Sequence, residues 1–133
     1  AVIKSYSPDI VVMDIGSKFS EEGSNTNNHE VLKANAIYAR NIGKMYGCLV
    51  VYCTQLSAEA EGKVILNQAM MEGSRTGKAA EADLMILIAK NPIVEGADEE
   101  DNQRHLNIVK NKLTGVHCVV HCELENQTAR YTA

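Results

Sequence analysis

Residues 8–14 read PDIVVMD. Four apolar residues, Ile10 to Met13, run straight into a carboxylate, Asp14. A run this apolar predicts a strand buried on both faces, and an unpaired carboxylate inside such a strand costs several kcal/mol. Asp14 is therefore expected where the strand ends. Two later stretches, CLVVYC (48–53) and LMILIA (84–89), have the same character. Between the first two runs, Val31, Leu32, Ala34, Ala36, Ile37, Ala39, Ile42 and Met45 form one stripe at helical spacing, with Asn28 placed to cap it and Gly47 to close it. Buried strands separated by a helix predict a βαβ unit and a parallel sheet.

The tail has a different pattern. HLNIVKN and HCVVHCEL alternate and flank LTG, which predicts an antiparallel hairpin. In order, the chain reads as strand 9–14, loop 15–28, helix 29–46, strand 48–54, loop 56–77, short helix 78–82, strand 83–89, acidic loop 91–103, strand 104–111, turn 113–116, strand 117–124 and a last strand 129–132. The fold class is α/β, parallel at first and antiparallel at the end, and residues 1–133 read as one partial domain without internal repeats.

Composition adds bounds. The 133 residues are enough for one modest core, and a net charge of -4 gives no global attraction to nucleic acid, although a local basic loop on an acidic body still binds it. No apolar run reaches the roughly eighteen residues of a membrane helix, and AVIKSYSPDI is not a signal peptide. The chain starts without Met a few residues before a buried strand, so a fragment is expected. Cys48, Cys53, Cys118 and Cys122 sit in or beside apolar runs, as reduced core thiols do. On a helix, HCVVHC (117–122) would suggest zinc. As a strand it sends His117 and His121 to one face and Cys118 and Cys122 to the other, so they cannot share one tetrahedral ion.

Two long loops, GSKFSEEGSNTNN (16–28) and SAEAEGKVILNQAMMEGSRTGK (57–78), leave the carboxyl ends of expected parallel strands, where ligands of open α/β sheets bind. Residues 91–103 carry five acids and no base, and read as a solvated connection.

Four spaced features then share one resemblance. PDIVVMD looks like a Walker B strand; LVVYCTQLS ends the next strand in a polar residue, Gln55; GSRTGKAAEADLMILI follows a long loop; and LNIVKNKLTG carries two lysines one residue apart before Thr-Gly. This succession, over residues 8 to 132, resembles the second half of the RecA-fold (P-loop NTPase) motor of DnaB-family replicative helicases and their phage helicase-primase relatives. The resemblance implies a hexameric, ATP- and Mg²⁺-dependent motor on single-stranded DNA, in the cytoplasm of a bacterial or phage-infected cell.

It also implies roles. Asp14 would hold the nucleotide's Mg²⁺, the alternative being a carboxylate that binds the amides of the following loop. Gln55 would sense the γ-phosphate or position water, the alternative being an amide bonded to backbone. Lys110 and Lys112 would reach the ATP of the adjacent subunit; the family typically has arginine at the second position, and a lysine lacks its bidentate fork. Strand alternation would put both lysines on one face. The two loops would line the DNA channel, with Lys18 in the first and Lys63, Gly73, Ser74, Arg75 and Lys78 in or beside the second.

No G-x-x-x-x-G-K-[ST] occurs in the 133 residues. EGSRTGK (72–78) has the wrong spacing and continues into Ala79. In the family the P-loop and the catalytic glutamate precede Walker B, so this portion is expected upstream and the piece is expected to be inactive alone. Two other readings stay open: a recombinase- or clock-type RecA-fold ATPase, and a binding or scaffold module with a degenerate nucleotide site.

Overall fold

The protein's structure is a computed structural model that describes residues 2–14, 28–72, 77–92 and 101–133. It forms two compact units, Ala1–Leu56 with Met71–Ala82, and Ser57–Met70 with Asp83–Ala133.

The first unit contains helix α1 (Val2–Tyr6), strand β1 (Ile10–Met13), helix α2 (Asn28–Tyr46), strand β2 (Leu49–Tyr52) and helix α3 (Gly77–Glu81). β1 and β2 pair in parallel with Ile10 opposite Leu49 and Met13 opposite Tyr52, which is the βαβ unit expected from the apolar runs. α2 buries Leu32, Ala36, Ala39 and Ile42, residues three or four apart and hence on one face. Met13, Ala39 and Ile42 form a core to which Ile3, Val11, Cys48, Val50 and Tyr52 add. Close approach is needed here: a Cβ at Gly43 would lie 3.2 Å from the Cys48 carbonyl oxygen. Glu30 in the first turn of α2 and Lys44 in the last complement the helix dipole, and Gly47 at φ 64° ends it.

The expectation of burial on both faces of β1 and β2 is corrected. Ile10, Val12, Leu49 and Val51 are 57%, 63%, 60% and 40% exposed, so α2 covers one face and the other is open. A continuous apolar run does not say which of its faces is covered.

The second unit is a four-stranded antiparallel sheet, β3 (Leu84–Lys90), β4 (Gln103–Asn111), β5 (Cys118–Glu125) and β6 (Arg130–Thr132), in the order β3-β4-β5-β6. The tail hairpin is thus present. β3, grouped with the parallel runs by its apolar sequence, instead pairs antiparallel with β4; Met85, Leu87 and Ala89 are buried while Leu84, Ile86 and Ile88 face out. The register shifts between Met85, opposite Lys110, and Ile86, opposite Ile108, which leaves Val109 as a bulge residue. The turn after β4 is held by Asn111: its Oδ1 accepts from the Leu113 and Thr114 amides, and its Nδ2 donates to Thr114 Oγ1.

HCVVHC is a strand from Cys118 onward, with Cys122 buried and Cys118 exposed. His121 faces His105 across the β4–β5 pair, Nδ1 to Nδ1 at 2.7 Å, while His105 Nε2 lies 2.8 Å from Asn91 Oδ1. With both rings neutral, His105 donates from Nε2 to Asn91 and accepts at Nδ1 from His121. No helix among the described residues is long and apolar enough to cross a membrane.

Candidate functional site

The rim of the first unit is built by the parallel pairing of β1 and β2. Hydrogen bonds continue past the last paired residues, from the Cys53 amide to the Met13 carbonyl at 3.0 Å, so both strands end at the same level. Asp14 follows Met13 and Gln55 stands three residues beyond Tyr52; both are exposed. An acid and an amide therefore leave one sheet edge at the carboxyl ends of parallel strands. An exposed carboxylate in this position fits Mg²⁺, which keeps most of its water and takes one or two protein carboxylates together with substrate phosphates. Asp14 would be the residue that holds it.

The backbone beyond Gln55 is fixed by the return of the long loop. Leu56 pairs antiparallel with Met71, and the Glu72 amide donates to the Gln55 carbonyl at 3.2 Å. Lys78, from α3, closes this stem: its Nζ donates to Thr54 Oγ1 at 2.9 Å and to the Glu72 carbonyl at 2.8 Å. α3 itself is tied to α2, since Arg40 donates to the Glu81 carbonyl and its Nε lies 3.8 Å from Glu81 Oε2. With 3% exposure, Lys78 is buried, and its expected contact with DNA phosphates is corrected: both of these hydrogen bonds are made inside the unit. Nothing in its sequence neighbourhood signals this, because the two partners come from the end of β2 and the end of the loop.

Burial pushes the Lys78 ammonium below the usual lysine range, with Glu72 partly restoring it. A depressed folded value means that, as pH rises from the folded pKa toward the ordinary one, the native chain sheds a proton that the unfolded chain still holds, so stability rises with pH across that window. Tyr52 opposes this at higher pH. Its hydroxyl is buried without a hydrogen-bond partner among the described residues, and burial raises its pKa. Comparing denaturant unfolding of the unchanged chain and Lys78→Met over the alkaline range isolates the lysine. The unchanged chain is expected to gain stability relative to the variant as pH rises toward the ordinary lysine value, and parallel curves would contradict the assignment.

In the second unit, Lys63 is exposed in the loop segment and Lys110 is half-buried opposite Met85. Lys112 lies past the last residue of β4. Its amide donates to the Asp83 carbonyl at 2.8 Å, and its Nζ lies 3.1 Å from Asp83 Oδ1. The shared-face argument therefore does not extend to Lys112, which is in the turn and not in the strand. Lys18, Gly73, Ser74 and Arg75 lie outside the described residues.

No family model matches the sequence, and no curated protein matches it. Solved structures do. Over 92% of this chain, a structure of the ATPase domain of a DnaB-like helicase superposes with a TM-score of 0.77 at 14% identity. The fold is that of a DnaB-like helicase ATPase domain. A DnaB-like replicative helicase, solved with attention to its interactions with primase, superposes over the same share of the chain with a TM-score of 0.71, also at 14% identity. The chain spans 43% of the first helicase structure and 29% of the second. The helicase-type fold puts the resemblance read from Asp14, Gln55 and the lysine pair on a structural footing, and the identity is low enough that the likeness speaks for fold.

Proposed function

We propose that this chain is the Walker B-to-C-terminal part of a hexameric, ATP-driven replicative DNA helicase that translocates on single-stranded DNA in a bacterial or phage-infected cytoplasm. One observation carries the reading: Asp14 and Gln55 leave the same edge of a parallel β1–β2 pair within a fold like that of helicase ATPase domains. In this reading Asp14 holds the Mg²⁺ of bound ATP, Gln55 reports on the γ-phosphate, and Lys110 and Lys112 serve the nucleotide of the adjacent subunit. Lys18, Lys63, Gly73, Ser74 and Arg75 face DNA phosphates; Lys78, buried, does not. ATP supplies the driving phosphoryl transfer when bound. The chain's own residues orient the metal, the sensor amide and the trans-acting ammonium groups.

The test has two arms. The purified 133-residue chain is expected to show no saturable, Mg²⁺-dependent ATP turnover, because the sequence contains no P-loop. The full-length protein that carries it is expected to unwind a forked duplex. Turnover by the chain alone would overturn the first statement, and an intact protein that binds DNA without unwinding would overturn the second. Lys112, where the family typically has arginine, favours a second reading, a scaffold module with a degenerate nucleotide site. Unwinding by the intact protein excludes it.

A further inference from the structure

The second long loop is fastened to β4 by hydrogen bonds that the helicase reading does not use. Asn107 is 2% exposed, and its amide is satisfied by backbone. Its Oδ1 accepts from the Leu66 amide at 2.9 Å, while its Nδ2 donates to the Val64 carbonyl at 3.0 Å and to the His105 carbonyl at 3.2 Å. Two residues beyond Leu66, Gln68 Nε2 donates to the Val109 carbonyl at 2.8 Å. Val109 is the bulge residue, without an opposite residue in β3 and beyond the last β5 partner of β4, Cys118, which pairs with Ile108. The next residue is Lys110.

A bulge re-aims the side chains that follow it, and here a side chain of the loop holds the bulge carbonyl. Leu66 and Met70 are buried, but the segment does not pack solidly along its length: an open groove of about 590 Å³ remains between it and β5, bordered by Ile65, Gln68, Asn107, His117 and Val119. Polar bonds therefore set the position of the segment along β4. A buried amide with lost partners costs far more than an exposed one, so the segment and the strand move together or not at all.

We propose that Asn107 and Gln68 are positioning residues that transmit DNA occupancy of the Val64–Gln68 segment to the Lys110–Lys112 end of β4. The inference rests on the helicase reading and adds to it which residues couple DNA to the neighbouring nucleotide. A shift of the loop on contact with a phosphate backbone would pull the Val109 carbonyl, alter the bulge and re-aim Lys110.

The experiment compares the full-length protein with its Gln68→Ala and Asn107→Leu variants, using ATPase rates with and without poly-dT and poly-dT affinity by fluorescence anisotropy. The expected result is that the fold-stimulation of ATPase by poly-dT drops about tenfold or more, while poly-dT affinity changes by less than about threefold, since a small misplacement of a catalytic group costs rate more than binding. Loss of affinity in step with stimulation would instead mark a merely structural loop and overturn the proposal. Undiminished stimulation in both variants would overturn it while leaving the helicase reading intact. Absence of poly-dT stimulation in the unmodified protein would overturn both. Asn107→Leu removes a buried polar group, so if it does not fold, Gln68→Ala decides; Gln68 is only partly buried and makes one of the fastening bonds.

Discussion

Replacing Asp14 with Asn in the full-length protein is expected to lower ATP turnover by about 10²–10³-fold, on the order of 3–4 kcal/mol of transition-state stabilisation. The carboxylate is exposed at the end of β1, and no hydrogen bond or ion pair among the described residues leans on it. Stability should therefore change by less than about 0.5 kcal/mol, as for a surface substitution away from special features. What is lost is the negative charge that offsets Mg²⁺. Asparagine keeps the shape and an acceptor oxygen but attracts a divalent ion weakly, so the variant should also require more Mg²⁺ for half-maximal rate. Steady-state turnover across a magnesium series measures both effects. Wild-type turnover in the variant would remove Asp14 from the metal site, leaving it as a carboxylate that binds loop amides.

The second large effect is expected at Lys112. Lys112→Ala in the full-length protein should reduce kcat by about 10²-fold, less than the 10³–10⁵ associated with an arginine finger because an ammonium is a point charge without the planar fork. Its bond to Asp83 does not set the size of this effect. The two side chains are 43% and 57% exposed, and exposed pairs contribute about 0–1 kcal/mol, so the melting temperature should scarcely move. The same weakness matters for mechanism, since an ammonium held so lightly exchanges Asp83 for a phosphate at little cost. Mixing experiments separate acting in trans from acting in cis. Adding Lys112→Ala subunits to Asp14→Asn subunits should restore turnover if the lysine serves a neighbour, because some interfaces then pair an intact lysine with an intact metal site. Failure of every mixture, with ring assembly verified, would put Lys112 in its own subunit's chemistry or outside the chemistry altogether. Lys112→Arg should retain turnover.

The nucleotide edge was legible in the sequence because apolar runs that stop at polar residues carry their own end-points. Asp14 after IVVM and Gln55 after LVVYCT needed only the parallel pairing to meet at one edge, and α2 supplied the crossover that makes strands parallel. Other features depend on partners far away in the chain. β3 has apolar residues on both faces, so LMILIA gave no hint that its neighbour would be antiparallel β4. Asn107 sits in HLNIVKN, where alternation suggests a solvated side chain; it is buried because Leu66, 41 residues earlier, brings an amide to it. Lys78 likewise looked like a surface charge and is instead bonded to Thr54, 24 residues before it. α1 buries no residue, so its five positions carry no periodic signal. Buried polar groups are hidden from pattern reading because only the folded backbone decides whether their hydrogen bonds can be met.

Of the four cysteines, only Cys118 is exposed, and it lines the groove beside the fastened loop segment. A maleimide fluorophore should label that thiol first, with no engineered cysteine needed, and would sit next to the Gln68–Val109 contact. Its emission would then report in real time whether the segment shifts when a nucleic acid strand is threaded or released.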